Sequence, residues 1–508
     1  MSVNCYVGVL YTKSIIKMFS YNYDVYYGFG GSTLITLKVL SKEGIEKIHF
    51  ATLDVLEKTG IKFDDKKALE IFDENGAKVN YRSKVVKIPE SLIKEAIRKC
   101  PRKIKLYARN RKYNLEIGTG KSYVHTPEGA YFVEDLSTGE IREATIKDVE
   151  NFAKLGSTLE NIHVYIPLVN PQDVPLEIRD IYRNKISLEN IEKHFIVCAH
   201  SYEGMVYTIK MASAIVGGLD ELVKKPIITG DGGAVSPLTS SKHNLRILRY
   251  CANLGLPCSI GSAPMAGGTA PASLAGTLVI QNAENLAWIT LAQLINPGLP
   301  IISLVRAFIL DLRKGDFAAG APEAVLMSVA LIQLYKYYGI PVDAGWSVSD
   351  SKFLDVQVGY DKVPMMLMSV LAGADFISGF GLIDSGITAS YSQLVIDNEA
   401  FSMVSRISQG ITIDDEGLAL DLIDKVGPGG NFLGEGHTIK CITSRREHFF
   451  PTLFSRGKEV SEDIVQRARK MASKLISSSQ AEPLPADVQK DLNNILEEAK
   501  KSLLRRYT

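Results

Sequence analysis

Residues 265–300 read MAGGTAPASLAGTLVIQNAENLAWITLAQLINPGLP, a turn followed by the apolar segment around which the chain is organised. Apolar residues fill most positions from Leu274 to Ile295, which predicts a helix that is buried on most sides. The stretch Asn296-Pro297-Gly298 ends this helix, because proline and glycine interrupt helical backbone. Three polar side chains at its centre need hydrogen-bond partners, either in neighbouring protein or in a functional site, namely Gln281, Asn282 and Glu284.

The composition is that of a soluble globular protein. The chain has 508 residues, of which 46% are apolar and 23% charged, and its net charge is +1. This balance gives no electrostatic footprint for nucleic acid or an anionic membrane. The six cysteines are scattered, so we expect reduced thiols in a cytoplasmic protein. No apolar run is long enough to span a bilayer, and no close set of metal-ligand residues predicts a metal site.

Strands alternate with helix-length segments from Thr145 onward, the pattern of βαβ units and a parallel sheet. Seven or eight such units within about 300 residues predict a (β/α)8 barrel of the TIM type. The active site of such a barrel lies on the loops after the carboxyl ends of the strands. The predicted strands cover 164–169, 195–199, 226–229, 257–260, 300–305, 341–343 and 375–378.

The chain divides into four parts. Residues 1–37 form an atypical extension rich in tyrosine and glycine, and one hypothesis is that its first residues are not native. Met18 is the alternative start, and the mass of the natively expressed protein distinguishes the two. Residues 38–145 are predicted to form an N-terminal α+β region, and residues 146–458 the barrel. Residues 459–508 are predicted to form a charged helical tail that serves packing or oligomer contacts.

The N-terminal region begins with regular helical patterns. Ser41 is a predicted N-cap, and the helix after it is predicted to end at Gly60. Further helices are predicted at 65–75 and 89–99, and a strand with alternating faces at 105–110.

Three motifs outside the core carry candidate chemistry. The stretch Gly230-Asp231-Gly232-Gly233 lacks the lysine and hydroxyl residue of a phosphate-binding loop, which argues against a nucleotide role. The stretch Asp350-Ser351-Lys352 places charge at the top of a predicted barrel strand, either as a site or as a helix cap. His437 lies in a glycine-rich loop, either as a site residue or in a supporting role.

Several blocks, taken in order, resemble the trimethylamine methyltransferase (MttB-like) family. No single block is specific, but their joint order from about residue 38 to residue 458 covers some four-fifths of the chain. The blocks are Ile48-His49, Leu53 to Gly60, Leu106 to Asn110, Ala270-Pro271, Gln281 to Glu284, Gly320 to Glu323, Asp350-Ser351-Lys352 with Asp355, Val426 to Gly430, Gly436-His437-Thr438 and Leu453 to Arg456.

The resemblance implies a (β/α)8 barrel enzyme that transfers a methyl group from an amine to the cobalt of a separate corrinoid protein. The expected partners are therefore a cognate corrinoid protein and a small methylated amine, with no cofactor bound tightly by this chain. We also expect a homo-oligomer. Catalytic roles are predicted for Asp350, Lys352, Glu323 and His437.

The expected substrate is a quaternary amine. Founding members of the family carry pyrrolysine, an electrophilic residue proposed to activate the amine, whereas this chain has standard residues only. A quaternary ammonium leaves as a neutral tertiary amine and needs no such activation, which favours a betaine-like or carnitine-like substrate. Arg306 or Lys352 is predicted to pair with its carboxylate. Cation binding is predicted for the aromatic residues Trp346, Tyr131 and Phe380, and further substrate contacts for Asp231 and Gln281.

Three alternatives stay open. The first is demethylation of a tertiary amine such as trimethylamine. The second is a barrel lyase or aldolase that uses Lys352 as a Schiff-base amine. The third is a non-catalytic protein that binds a quaternary amine or docks a corrinoid partner.

Overall fold

The computed structural model describes residues 36–444, 447–457, 461–479 and 481–504. The described residues divide into two compact units, one of residues 37–405 with 450–504 and one that contains residues 406–449. The predicted extension up to residue 35, with its alternative start at Met18, lies outside the described residues. No described helix is long and apolar enough to cross a membrane.

Eight parallel strands in the first unit form one sheet, which confirms the predicted barrel. From the second strand to the eighth, each pairs with the next in chain order, and the eighth pairs with the first through Phe376 and Tyr123. A bridge between His125 and Val164 brings the first strand beside the second, so the sheet is a nearly closed barrel. The strands are β1 (Tyr123–Val124), β2 (Val164–Tyr165), β3 (His194–Val197), β4 (Ile228–Gly233), β5 (Cys258–Ser262), β6 (Ile301–Val305), β7 (Val342–Trp346) and β8 (Phe376–Ser378).

Strand β1 lies within the range 38–145, where no barrel strand was predicted. It has only two residues, so no alternating pattern marks it in the sequence. The other seven strands overlap their predicted ranges. Three of them run further than predicted, since β4 continues to Gly233, β5 to Ser262 and β7 to Trp346. All three extensions reach the carboxyl edge of the barrel, where candidate site residues lie.

The apolar segment forms the helix Leu274–Ile295, which is buried along most of its length as predicted. Its polar residues bond to neighbouring protein. The Asn282 amide donates to the hydroxyl of Thr52 at 2.9 Å, which ties the helix to the N-terminal region. Glu284 accepts the backbone N–H of Leu238 at 2.7 Å and so holds the loop that follows β4. Each barrel strand is followed by a helix or helices, namely Ile146–Thr158, Arg179–Asn190, Tyr202–Val216 with Leu219–Lys224, Lys242–Leu254, Leu274–Ile295, Pro322–Tyr338, Val356–Ala372 and Tyr391–Ser408.

The N-terminal region contains the three predicted helices, Lys42–Asp54, Lys66–Glu74 and Glu90–Lys99. Ser41 caps the first as predicted, because its hydroxyl accepts the N–H of Gly44. The strand predicted at 105–110 is instead Ile104–Leu106. Short strands form four smaller sheets among the described residues. The first consists of Ile61–Phe63, Lys78–Asn80, Val85–Lys87 and Thr239–Ser240, and the second of Ile104–Leu106 and Leu115–Ile117. The third consists of Phe132–Glu134, Ile141–Glu143, Leu382–Ile383 and Thr388–Ser390, and the fourth of Met265–Ala266, Phe308–Asp311 and Asp316–Ala318.

The tail forms the helices Ile464–Ser477 and Ala486–Leu503, which pack on the outside of the barrel. The first contacts Ile146–Thr158 and the second contacts Tyr202–Val216. A salt bridge of 2.9 Å joins Lys210 to Glu498. Both tail helices therefore pack against helices that surround the barrel.

The second unit is a set of short helices in the part that the structure describes, Asp415–Leu418, Leu420–Val426 and Gly436–Ser444. None of them contains a buried residue.

Candidate active site

Two adjoining cavities open at the carboxyl ends of the barrel strands. The first, which we call the Trp346 cavity, has a volume of about 140 Å³. The second, the Gly232 cavity, has a volume of about 270 Å³. They share Glu128, Cys198, Asp231, Leu304 and Arg306, so both belong to one site.

Asp343, on β7, is a buried carboxylate that is held by two basic side chains. Nε2 of His125 lies 2.7 Å from its Oδ2, and Nη2 of Arg306 lies 2.9 Å from its Oδ1. Burial acts to raise the pKa of Asp343, but the charges of Arg306 and His125 outweigh it and hold this pKa at about 2. The carboxylate therefore remains ionised, and the network joins β1, β6 and β7 at the floor of the site.

Glu128 forms a second paired carboxylate, in the segment that follows β1. Its Oε1 accepts from Arg183 and from His200, each at 2.8 Å. Burial acts to raise the pKa of Glu128, and these two partners lower it to about 2. Glu128 is therefore a fixed negative charge at the wall common to both cavities.

Asp231, on β4, is the carboxylate without a basic partner. Within the described residues, no basic side chain forms a salt bridge with it, and the thiol of Cys198 lies 3.7 Å from its Oδ2. Burial raises the pKa of Asp231 to about 6, and the negative charges of Glu128 and Asp343 act in the same direction. A cation bound beside Asp231 would offset both effects.

Trp346 supplies an aromatic wall at the end of β7. Its ring is partly exposed, packs edge-on against Phe308 with centroids 5.2 Å apart, and lies tilted against Phe317 with centroids 5.9 Å apart. The two phenylalanines come from the strands Phe308–Asp311 and Asp316–Ala318, so this hairpin fixes the indole over the cavity.

The balance of charges in the two cavities favours a positively charged ligand. Asp343 and Glu128 each have two basic partners, which leaves Asp231 as the carboxylate without one, in the cavity that Trp346 also lines. A carboxylate and an indole ring both attract a cation, and the indole needs no hydrogen bond from it. Among the described residues, no group of three or more histidines, cysteines or carboxylates has a geometry that would hold a metal ion.

Of the predicted site residues, the structure brings Asp231, Arg306 and Trp346 together. Asp350 lies apart from the two cavities, and its oxygens accept the N–H groups of Ala319 and Gly320 at 2.8 and 3.0 Å. This carboxylate therefore ties together the loops before Pro322–Tyr338 and after β7.

Other predicted residues also lie outside the cavity walls. The side chain of Lys352 is exposed. Phe380 is completely buried and packs on Phe401. Gln281 is buried and donates to the hydroxyl of Ser262 at 3.1 Å, one step behind the Gly232 cavity. The others that do not line either cavity are Glu323, which is partly buried, and Tyr131, which is exposed.

His437 belongs to the second compact unit, at the start of Gly436–Ser444. Its Nε2 lies 3.1 Å from the backbone carbonyl of Glu416, and the thiol of Cys441 lies 3.7 Å from its ring. These contacts place it in a local cluster within that unit.

Sequence reasoning missed His125, Glu128 and Asp343 as site residues. The first two follow β1, a barrel strand that the sequence did not predict, so their position at the barrel mouth was not visible. Asp343 is the last residue of the predicted strand 341–343. The available signal was the ionisable residue at its carboxyl end, which in a barrel faces the site.

Comparison with known proteins gives one consistent result. The family model described as "Trimethylamine methyltransferase (MTTB)" matches residues 29–503. The glycine betaine methyltransferase of Desulfitobacterium hafniense (strain Y51) is 34% identical over 430 residues, which cover 84% of this chain and 88% of that protein. The trimethylamine methyltransferase MttB of Methanosarcina barkeri is 34% identical over 494 residues, which cover 94% and 98%.

The crystal structure of the Methanosarcina barkeri monomethylamine methyltransferase (MtmB) resembles the model with a TM-score of 0.50. The match covers 89% of each chain at 12% sequence identity, so the likeness concerns the fold.

Proposed function

This chain belongs to the trimethylamine methyltransferase family and is a methyltransferase, and from that premise we propose that it moves a methyl group from a quaternary ammonium compound to the cobalt(I) of a separate corrinoid protein. The C–N bond breaks and its electron pair stays on nitrogen, which leaves a neutral tertiary amine. The cobalt electron pair forms the new bond to the methyl carbon. In this proposal the corrinoid is carried by the partner, and no residue of this chain is assigned to hold it.

The leaving group supports a quaternary substrate. A quaternary nitrogen leaves without a proton, so the reaction needs no general acid. A free tertiary amine would leave as a poor, anionic group unless it were first activated. The proposed site accords with this requirement, because its carboxylates are ionised or engaged and the thiol of Cys198 has a pKa raised well above its ordinary value by burial. Catalysis would then come from orientation and from exclusion of water.

The single observation that carries the proposal is that Asp231, a carboxylate without a basic partner among the described residues, lines the same cavity as the indole of Trp346. Asp231 is the proposed counterion of the ammonium group, and Trp346 is its proposed aromatic contact. As the methyl group departs, the amine loses its charge and its attraction to Asp231 weakens. Asp231 therefore serves binding more than it serves the chemical step.

The test is the absorption spectrum of the corrinoid. The protein is mixed with a cobalt(I)-loaded corrinoid protein from its own organism, and methylated amines are added one at a time. Methylation of the corrinoid with a quaternary amine, and not with trimethylamine, is the expected result. Methylation with trimethylamine alone would contradict the proposal. A partner protein that is methylated chemically serves as the control for its activity. The related expectation of a homo-oligomer is checked by light scattering of the same preparation.

Substrate binding should weaken in acid. The pKa of Asp231 is raised to about 6 by burial, so its carboxylate is ionised at neutral pH and protonated below that value. A bound cation favours the ionised form, and the dissociation constant should therefore rise as the pH falls below about 6, approaching tenfold per pH unit. Calorimetric titration of a quaternary amine from about pH 8 to about pH 5 measures this. Asp231→Asn should show a flat profile across the same range, and an identical slope in both proteins would contradict the assignment.

Replacement of the Trp346 ring should weaken cation binding selectively. Trp346→Ala is expected to raise the dissociation constant of a quaternary amine by roughly 3- to 30-fold, since a cation–π contact contributes about 0.5–2 kcal/mol. Trp346→Phe retains a ring and should lose less. The ligand control is a neutral analogue in which carbon replaces the ammonium nitrogen. Equal losses for the charged and the neutral ligand would show that Trp346 contributes packing only.

A further inference from the structure

We infer that the site takes quaternary ammonium compounds that carry no carboxylate, of which tetramethylammonium and choline are examples, and discriminates against betaines. The inference rests on the proposed function, and it concerns the part of the substrate that is not transferred. It follows from the hydrogen bonds of the basic and acidic side chains that line the two cavities.

The basic side chains that line the cavities, in the part of the chain that the structure describes, both bond to Asp343. Nη2 of Arg306 donates to Asp343 at 2.9 Å and to the hydroxyl of Ser378 at 2.8 Å. Its Nη1 donates to the backbone carbonyls of Asp343 and Val305 at 3.1 and 3.2 Å. Both Nη groups therefore have their acceptors within the protein, and Arg306 has no Nη hydrogen left for a substrate carboxylate.

His125 is committed in the same way. Its Nε2 faces Asp343 at 2.7 Å, and its Nδ1 faces the carbonyl of Thr126 at 2.8 Å. Both ring nitrogens thus point at acceptors of the protein. A substrate carboxylate would have to displace Asp343, which is buried and accepts from both His125 and Arg306.

The other charged side chains of the walls, Glu128 and Asp231, are acidic and would repel an anion. Glu128 already binds Arg183 and His200 with one oxygen, and Asp231 interacts with the thiol of Cys198. Cys198 and the other shared wall residue, Leu304, add no positive charge. A betaine carboxylate in this space would lose its hydration, gain no cation and lie close to Glu128 and Asp231. An unpaired anion in a site of low polarity is strongly disfavoured.

A hydroxyl group would meet a different environment. Carboxylate oxygens accept hydrogen bonds, so an alcohol such as choline can donate to Glu128 or Asp231 while its ammonium group remains beside Trp346. Tetramethylammonium has no hydrogen-bonding group, so its binding requires only the charge of Asp231 and the apolar walls.

The experiment compares ligands of matched shape on the full chain without its partner. Calorimetry at about pH 7.5 measures the binding of tetramethylammonium, choline, glycine betaine and glycine betaine amide. The amide keeps the ammonium group of the betaine and has an uncharged amide in place of the carboxylate. We expect the amide and choline to bind at least about tenfold more tightly than glycine betaine. Glycine betaine that binds as tightly as its amide would overturn the inference and leave the proposed function standing. Failure of all four ligands to bind would overturn both.

A variant tests the cause of the discrimination. Glu128→Gln removes one negative charge from the wall and releases Arg183 and His200 from their partner. Its preference for the amide over the betaine should fall towards parity, and circular dichroism should show whether the fold is retained. A preference that is unchanged in a folded Glu128→Gln protein would contradict the electrostatic explanation. Arg313→Met, which removes a surface cation paired with Asp311, is the matched charge-changing control and should leave the preference as it is.

Discussion

Asp231→Asn should abolish most of the affinity for a quaternary amine while leaving the fold intact. The substitution keeps the shape of the side chain and removes the one cavity carboxylate that has no basic partner in the described protein. Loss of one member of a buried charge pair costs about 2–4 kcal/mol, so the dissociation constant should rise by roughly 30- to 700-fold. Calorimetric titration of the wild type and the variant with the same amine measures this effect.

The turnover of Asp231→Asn should behave differently from its affinity. The amine becomes neutral as the methyl group leaves, so Asp231 attracts the substrate more than it attracts the transition state. KM should therefore rise strongly, whereas kcat should change little or increase. A fall in kcat with an unchanged KM would indicate a role in the chemical step and contradict the proposal.

The thermal stability of Asp231→Asn distinguishes a loss of binding from a loss of folding. The pKa of Asp231 is raised to about 6 in the folded protein, so folding disfavours its ionised form at neutral pH. Because this pKa is raised, the contribution of Asp231 to stability improves as the pH falls. Removal of the charge therefore costs no stability at neutral pH. The variant should unfold at the same temperature as the wild type or higher. The control Asp54→Asn removes a carboxylate with 56% side-chain exposure and should affect neither binding nor kcat.

The barrel could be predicted from sequence because its long elements have regular patterns. Seven strands alternate with helical segments, and the helix Leu274–Ile295 is apolar at most positions. Strand β1 could not be predicted, since two residues carry no periodicity and its place is set by pairing with β8 and by a bridge to Val164. The same failure concealed Glu128, the residue that shapes the wall of both cavities.

Residues of the candidate site could be predicted where a charged or aromatic side chain falls at the carboxyl end of a strand. Asp231 and Trp346 fall on β4 and β7, and both line the Trp346 cavity. Asp350 occurs in a similar sequence setting but bonds to the backbone of another loop, as a cap would. Sequence cannot distinguish these cases, because the partner of Asp350 is thirty residues away along the chain. The engagement of Arg306 by Asp343 is likewise a long-range contact.

Arg306→Met should destabilise the protein more than any other substitution at the site. The variant leaves Asp343 buried with only His125 to offset its charge, and it also removes bonds to the carbonyls of β6 and β7 and to Ser378. Removal of one partner of a buried ion pair costs about 3–5 kcal/mol. Urea denaturation, followed by fluorescence, should show a clearly lower midpoint. The control Arg313→Met removes an arginine with 87% side-chain exposure that is paired with Asp311, and it should cost about 0–1 kcal/mol.

The double variant Arg306→Met with Asp343→Asn isolates the pair. Because Asp343→Asn removes the uncompensated charge, the double variant should lose less stability than the sum of the two single variants. The pH dependence gives a second check. In the wild type the pKa of Asp343 is lowered to about 2, so its stabilising contribution is present at neutral pH and is lost in acid. The stability difference between wild type and Arg306→Met should therefore shrink as the pH falls towards about 3. Strict additivity with no pH dependence would mean that Arg306 stabilises the barrel through packing alone and is free of Asp343 in solution, and an Arg306 free of Asp343 would also be available to a substrate carboxylate.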